Sequence, residues 1–173
     1  MSIIAARRKA EALAQQLGVA QPPVDVSQVA EALGIRVVET KLGDDISGLL
    51  ITKDEVTTIC VEETHRAVRK RFTIAHEIGH YCLRHQFEPG EHVHVDRGAL
   101  VSMRNGRSGE GTDQREVEAN QFAACLLMPR SLVQAEIARK GGKVPEELVG
   151  ELALKFEVSE QAMTIRLGTL GFK

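Results

Sequence analysis

The chain has 173 residues, 43% hydrophobic and 27% charged, with no Trp and one Tyr. That is one domain's worth of soluble chain with an aliphatic core. A net charge of −2 excludes a global basic field for nucleic acid. No stretch approaches the ~18 apolar residues of a membrane span. Met1 to Gln16 lacks the apolar run of a signal peptide. Cys60, Cys82 and Cys125 are scattered and odd in number, and read as reduced thiols of a cytoplasmic protein.

Ile3 to Leu17 carries Ala6, Ala10, Leu13 and Ala14 at helical spacing and stops at Gly18. After Pro22-Pro23, Asp25 or Ser27 caps a second short helix with Val26, Val29, Ala30 and Leu33. Ile35 to Glu39 is a strand. Gly48 to Thr52 and Val56 to Val61 form an antiparallel hairpin around Lys53-Asp54-Glu55. The free edge of the second hairpin strand is a candidate for adding a substrate strand. A long helix starts at Glu63 or Thr64 and runs to about His85. From Glu88 to Thr112 the periodicity vanishes, which reads as a polar loop, either a mobile lid over the cleft, the favoured reading, or a disordered stretch. Asp113 to Met128 is a strong helix ended by Pro129. Ser131 caps the next, to Lys140. Pro145 opens a helix to Phe156, and Ser159 caps the last, to Leu170.

The third helix contains His76-Glu77-Ile78-Gly79-His80. This is H-E-x-x-H, the signature of zinc hydrolases. Histidines four apart project from one helix face, so both imidazoles reach one ion. Glu77 lies about 100° round the helix from His76. There it can act as general base toward a zinc-activated water without binding the metal. A catalytic zinc site takes three protein ligands and leaves the fourth position to water. The extended pattern with a third histidine is excluded, because Leu83 and Gln86 stand where Gly and His are required.

The next helix offers Asp113, Glu116 and Glu118. Glu116 is the expected ligand. Asn120 lies one turn on, on the same face, where it can hold the free nitrogen of the first histidine. Ala119 and Ala123 are small enough for two helices to approach closely. Glu118 points roughly 200° away from Glu116. Cys82 and Cys125 read as small buried hydrophobes rather than ligands. Tyr81, His85, His92, His94, Arg104 and Arg107 are open candidates for oxyanion stabilisation, each also readable as an ordinary surface residue.

Two blocks carry a resemblance. Phe72-Thr-Ile-Ala-His-Glu-Ile-Gly-His80 and Glu116-Val-Glu-Ala-Asn-Gln-Phe-Ala-Ala-Cys-Leu-Leu-Met-Pro129 resemble the ImmA/IrrE metallo-endopeptidases, whose pattern is R-F-T-x-A-H-E-x-G-H followed by E-x-x-A-N/D-x-F-A-A-x-L-L-M-P. The resemblance covers roughly residues 25 to 140. It implies zinc at His76, His80 and Glu116, with Glu77 as catalytic base. It implies an α+β, gluzincin-like fold: a mostly helical metallopeptidase core over residues 1–140 with a small three-stranded antiparallel or mixed sheet. Residues 141–173 are then a helical extension. The implied substrate is a helix-turn-helix repressor of mobile elements or stress genes. Asn120 stands where the family also has Asp.

Leu148 to Gly171 resembles two helices of a helix-turn-helix, with Gln161, Thr164 and Arg166 on the second. Glu157 and Glu160 would repel phosphate, so a packing role is favoured over DNA binding. Two further readings stand beside the protease: an anti-repressor that sequesters its target uncut, and a DNA-binding regulator. The intact Glu77 favours the protease.

Overall fold

The computed structural model describes residues 2–43, 45–85, 93–96 and 110–172, with backbone alone at 93, 94, 96 and 110–113. Among these are helices α1 (Ile3–Gln16), α2 (Val26–Ala32), α3 (Ala67–Leu83), α4 (Glu110–Leu127), α5 (Arg130–Arg139), α6 (Glu146–Phe156) and α7 (Glu160–Leu170), and strands β1 (Ile35–Thr40), β2 (Gly48–Lys53), β3 (Val56–Glu62) and β4 (Val93–Asp96). The fold is α+β and mostly helical, as expected. The mixed sheet runs β1-β3-β2-β4, one strand more than the three expected.

β2 and β3 form the expected antiparallel hairpin. Its two-residue turn, Asp54-Glu55, has φ of 48° and 65°, both in the left-handed region whose twist suits tight hairpins. β1 then pairs parallel to the far side of β3. This overturns one expectation. β3 has neighbours on both sides, so its edge has no place for a substrate strand. β4 pairs antiparallel with β2 and comes from the 88–112 stretch read as a loop. The rest of that stretch up to Glu110, including His92, Arg104 and Arg107, lies outside the described residues, as does the side chain of His94.

α3 begins at Ala67, later than Glu63 or Thr64. Those residues belong to a turn tied down by Glu62. Its carboxylate accepts from the Leu42, Gly43 and Thr64 amides and the Thr64 hydroxyl at 2.6, 3.2, 3.0 and 2.9 Å. These bonds hold its pKa down at about 2. The start of α5 differs in the same way. Pro129 is the cap residue, and the Arg130 amide donates to Glu11 of α1, 3.1 Å from each carboxylate oxygen. Ser131 lies inside the helix. Ser159 does cap α7, accepting from Ala162.

One apolar cluster runs from Ala6 and Ala10 of α1 through Ile59, Ile78 and Phe122 to Phe156 and Leu167 of the last two helices. α3 lies between the sheet and α4, and α1 packs on α4. Arg166 of α7 is buried here. It donates to the Met128 carbonyl at 2.9 Å, to Cys125 Sγ at 3.0 Å and to Glu11 at 2.5 Å. It is therefore not available as a DNA contact. Among the described residues, no helix is long and apolar enough to cross a membrane.

Candidate metal centre

The centre forms where α3 crosses α4. Its cause is steric. A Cβ on Gly79 would lie 3.2 Å from the Ala119 carbonyl oxygen and 3.2 Å from the Phe122 ring. Only a hydrogen at 79 and a methyl at 119 let the two backbones approach this closely. The side chains one turn earlier on each helix then meet.

His76, His80 and Glu116 present ligand atoms that all lie within 4.8 Å of one another. The two Nε2 atoms are 3.0 Å apart. Glu116 sets Oε2 3.2 Å from His76 Nε2 and Oε1 3.3 Å from His80 Nε2. A tetrahedral zinc with bonds of ~2.0–2.1 Å spaces its ligands by ~3.3 Å. The donor set fits such an ion in kind and in spacing. Both histidines are buried and Glu116 is half-buried.

The outer nitrogens define the protonation. His76 Nδ1 lies 2.9 Å from Asn120 Oδ1. That oxygen only accepts, so Nδ1 donates and Nε2 carries a lone pair. Asn120 thus stands where the helix periodicity put it. His80 Nδ1 lies 3.0 Å from His85 Nδ1, and His85 Nε2 lies 3.1 Å from Glu118 Oε2. A carboxylate accepts, so His85 donates through Nε2 and accepts His80 Nδ1–H. In these tautomers His76 and His80 turn Nε2 lone pairs toward each other and toward Glu116. A cation placed among them would satisfy all three donor groups at once.

Burial pushes the pKa of His85 down despite the neighbouring Glu118 carboxylate, which matches a neutral imidazole. For Glu118 burial acts upward, while hydrogen bonds, from His85 first and then Gln114, are among the causes acting downward, and the carboxylate lies below its usual range. His85 and Glu118 were not expected in these places. His85 follows Arg84, whose φ of 53° ends α3 in the left-handed conformation. The chain turns back there, and helical angles no longer apply. Glu118 is indeed outside the three-donor cluster. The available signal was a carboxylate on the apolar side of α4, where it is buried.

Glu77 is fully buried on the sheet side of α3. A Cβ on Gly48 of β2 would overlap the Thr73 methyl and lie 3.3 Å from Glu77 Oε1. The start of β2 thus passes directly over this carboxylate, and glycine there leaves the room. Cys82 is outside the three-donor cluster, and burial pushes its thiol up to about 11. Burial raises the Cys125 thiol as well. Tyr81 is exposed, and His85 is turned to Glu118.

The Peptidase M78 family model, described as the IrrE N-terminal-like domain, matches residues 30–168. The match continues past residue 140 through most of α7. The Radiation response metalloprotease IrrE of Deinococcus radiodurans is 34% identical over 106 residues, which are 61% of this chain and 29% of that protein. The chain thus covers less than a third of that relative's length. A Mycobacterium tuberculosis transcriptional regulator of known structure superposes with a TM-score of 0.63 at 19% identity, over 96% of this chain and 47% of that one. At that identity the likeness is one of fold.

Proposed function

The chain belongs to the Peptidase M78 family of IrrE N-terminal-like domains, and from that premise we propose that it is a zinc-dependent endopeptidase cutting a helix-turn-helix transcriptional repressor. The observation that carries the reading is the convergence of His76, His80 and Glu116 within 4.8 Å. Glu77 stands next to the first of them. A binding module has no need of a buried carboxylate beside three metal donors.

In this reading His76, His80 and Glu116 hold the zinc, and Asn120 orients His76. When bound, zinc supplies Lewis-acid polarisation of the scissile carbonyl and of the attacking water. Glu77 takes the proton from that water as the new C–O bond forms. It then delivers the proton to the amide nitrogen as the C–N bond breaks, so the amine leaves neutral. Asn120 keeps His76 in the Nδ1–H tautomer throughout, which leaves Nε2 as the donor.

The repressor as substrate rests on the two motif blocks and their resemblance to the ImmA/IrrE enzymes. Three cysteines free of disulfides agree with action in the cytoplasm. The DNA-binding reading loses its best side chain, because Arg166 is buried.

The test uses purified protein and a helix-turn-helix repressor encoded beside it, followed by intact-mass spectrometry. Two complementary fragments are expected with zinc, none after chelation, and both again on zinc return. Fragments that persist in chelator contradict the reading, as does an intact repressor that has nonetheless lost operator binding. The latter outcome favours sequestration.

A further inference from the structure

We propose that His85 and Glu118 form a relay that positions His80, making Glu118 the anionic anchor of the metal centre; this rests on the metallopeptidase reading above. The two ligand histidines are supported unequally. His76 leans on a neutral amide, Asn120, at 2.9 Å. His80 leans on a second imidazole at 3.0 Å, which leans in turn on a carboxylate at 3.1 Å. That carboxylate is 1% exposed, and Gln114 donates to its other oxygen at 3.2 Å. A buried carboxylate needs partners to remain charged. One of its partners here leads straight to a metal donor.

With a metal ion on His80 Nε2, the contacts are satisfied by one arrangement of protons. Glu118 accepts from His85 Nε2–H, His85 Nδ1 accepts from His80 Nδ1–H, and His80 Nε2 is left as the donor. Each bond fixes the tautomer of the next ring and adds electron density to it, which strengthens the last nitrogen as a ligand. The left-handed Arg84, at φ 53°, is what swings His85 back under His80. His85 and Glu118 are not among the three donors and reach the centre through His80, so both are positioning residues.

The test compares wild type, His85→Phe, Glu118→Gln and the double variant by zinc affinity in chelator competition. The cobalt-loaded proteins are compared by visible absorption, which reports ligand geometry. Each single substitution is expected to weaken zinc binding by about 10–100-fold. The double variant is expected to be no weaker than the worse single, because the groups act in series. His85→Gln, whose amide can accept from His80 and donate to Glu118, is expected to restore most of the affinity and the cobalt spectrum. Unchanged zinc affinity in both singles overturns the relay, and so does a double variant whose losses multiply. A variant destabilised without metal but unchanged in affinity also counts against it. Wild-type protein that binds no zinc would instead sink the metallopeptidase reading.

Discussion

Gly79 of α3 and Ala119 of α4 are the contact that builds the site: a Cβ at 79 would lie 3.3 Å from the Ala119 Cα and 3.2 Å from its carbonyl oxygen. Glycine in a helix interior ordinarily costs about 0.5–1 kcal/mol relative to alanine. Gly79→Ala should nevertheless destabilise. The new methyl meets helix backbone, which cannot yield without moving α4, and overpacking of that kind costs about 1–3 kcal/mol. Thermal unfolding should show a lowered Tm, and chelator competition a weakened zinc site. A raised Tm with unchanged affinity would show that the helices have slack.

Gly48 makes the corresponding contact on the other side of α3, against Thr73 and Glu77. Gly48→Ala should lower kcat at least tenfold, which is a barrier increase of about 1.4 kcal/mol, while one zinc per chain is retained. Thr73→Ser removes the methyl in the way. Added to Gly48→Ala, it should recover most of the lost rate, provided displacement of the Glu77 region is the cause. No recovery would assign the loss to β2 itself.

These two glycines also mark where the sequence is readable. His76, His80, Glu116 and Asn120 could be placed from residue spacing, because a helix fixes which side chains share a face. The hairpin was equally plain, with two alternating runs joined by a short turn. The position of β3 was not, since its pairing with β1 is non-local and depends on how the chain passes from β1 to β2. The place of His85 beside His80 was not legible, because Arg84 ends the helix in a conformation that glycine usually supplies, and no glycine marks it. Ser131 looked like a cap, but the amide of Arg130 was claimed by Glu11, far away in the chain.

Arg166 ties α7 to α1 and to the end of α4. Its side chain is 5% exposed and that of Glu11 31%. Arg166→Met leaves Glu11 and the Met128 carbonyl without this donor. The loss should be about 3 kcal/mol, the low end for breaking a buried pair, because Glu11 is partly solvated. That corresponds to roughly 6–12 °C in Tm for a chain of this size. Arg166→Lys should rescue little, since one ammonium does not match three separate acceptors. A Tm within 2 °C of wild type for Arg166→Met would contradict this account.

Glu62 sets a pH dependence. Its folded pKa is held near 2, against an ordinary 4.5, first by the Leu42 amide and then by Thr64. A depressed carboxylate stabilises the fold fully above its unfolded pKa, and that stabilisation disappears as pH falls through the folded value. Glu62→Gln should therefore cost most at pH 6–7. The gap in Tm from wild type should narrow from about pH 4.5 downward and close near pH 2. An equal gap at pH 7 and pH 3 would mean that the charge of Glu62 is not what matters.

The central claim is that Glu77 performs peptide hydrolysis at the metal centre. The most direct measurement is co-expression of the repressor with wild type or with Glu77→Gln, reading the repressor's intact mass and the zinc content of both proteins. The account predicts two repressor fragments with wild type, full-length repressor with Glu77→Gln, and one zinc in each. Full-length repressor in both strains, inactivated all the same, would contradict it.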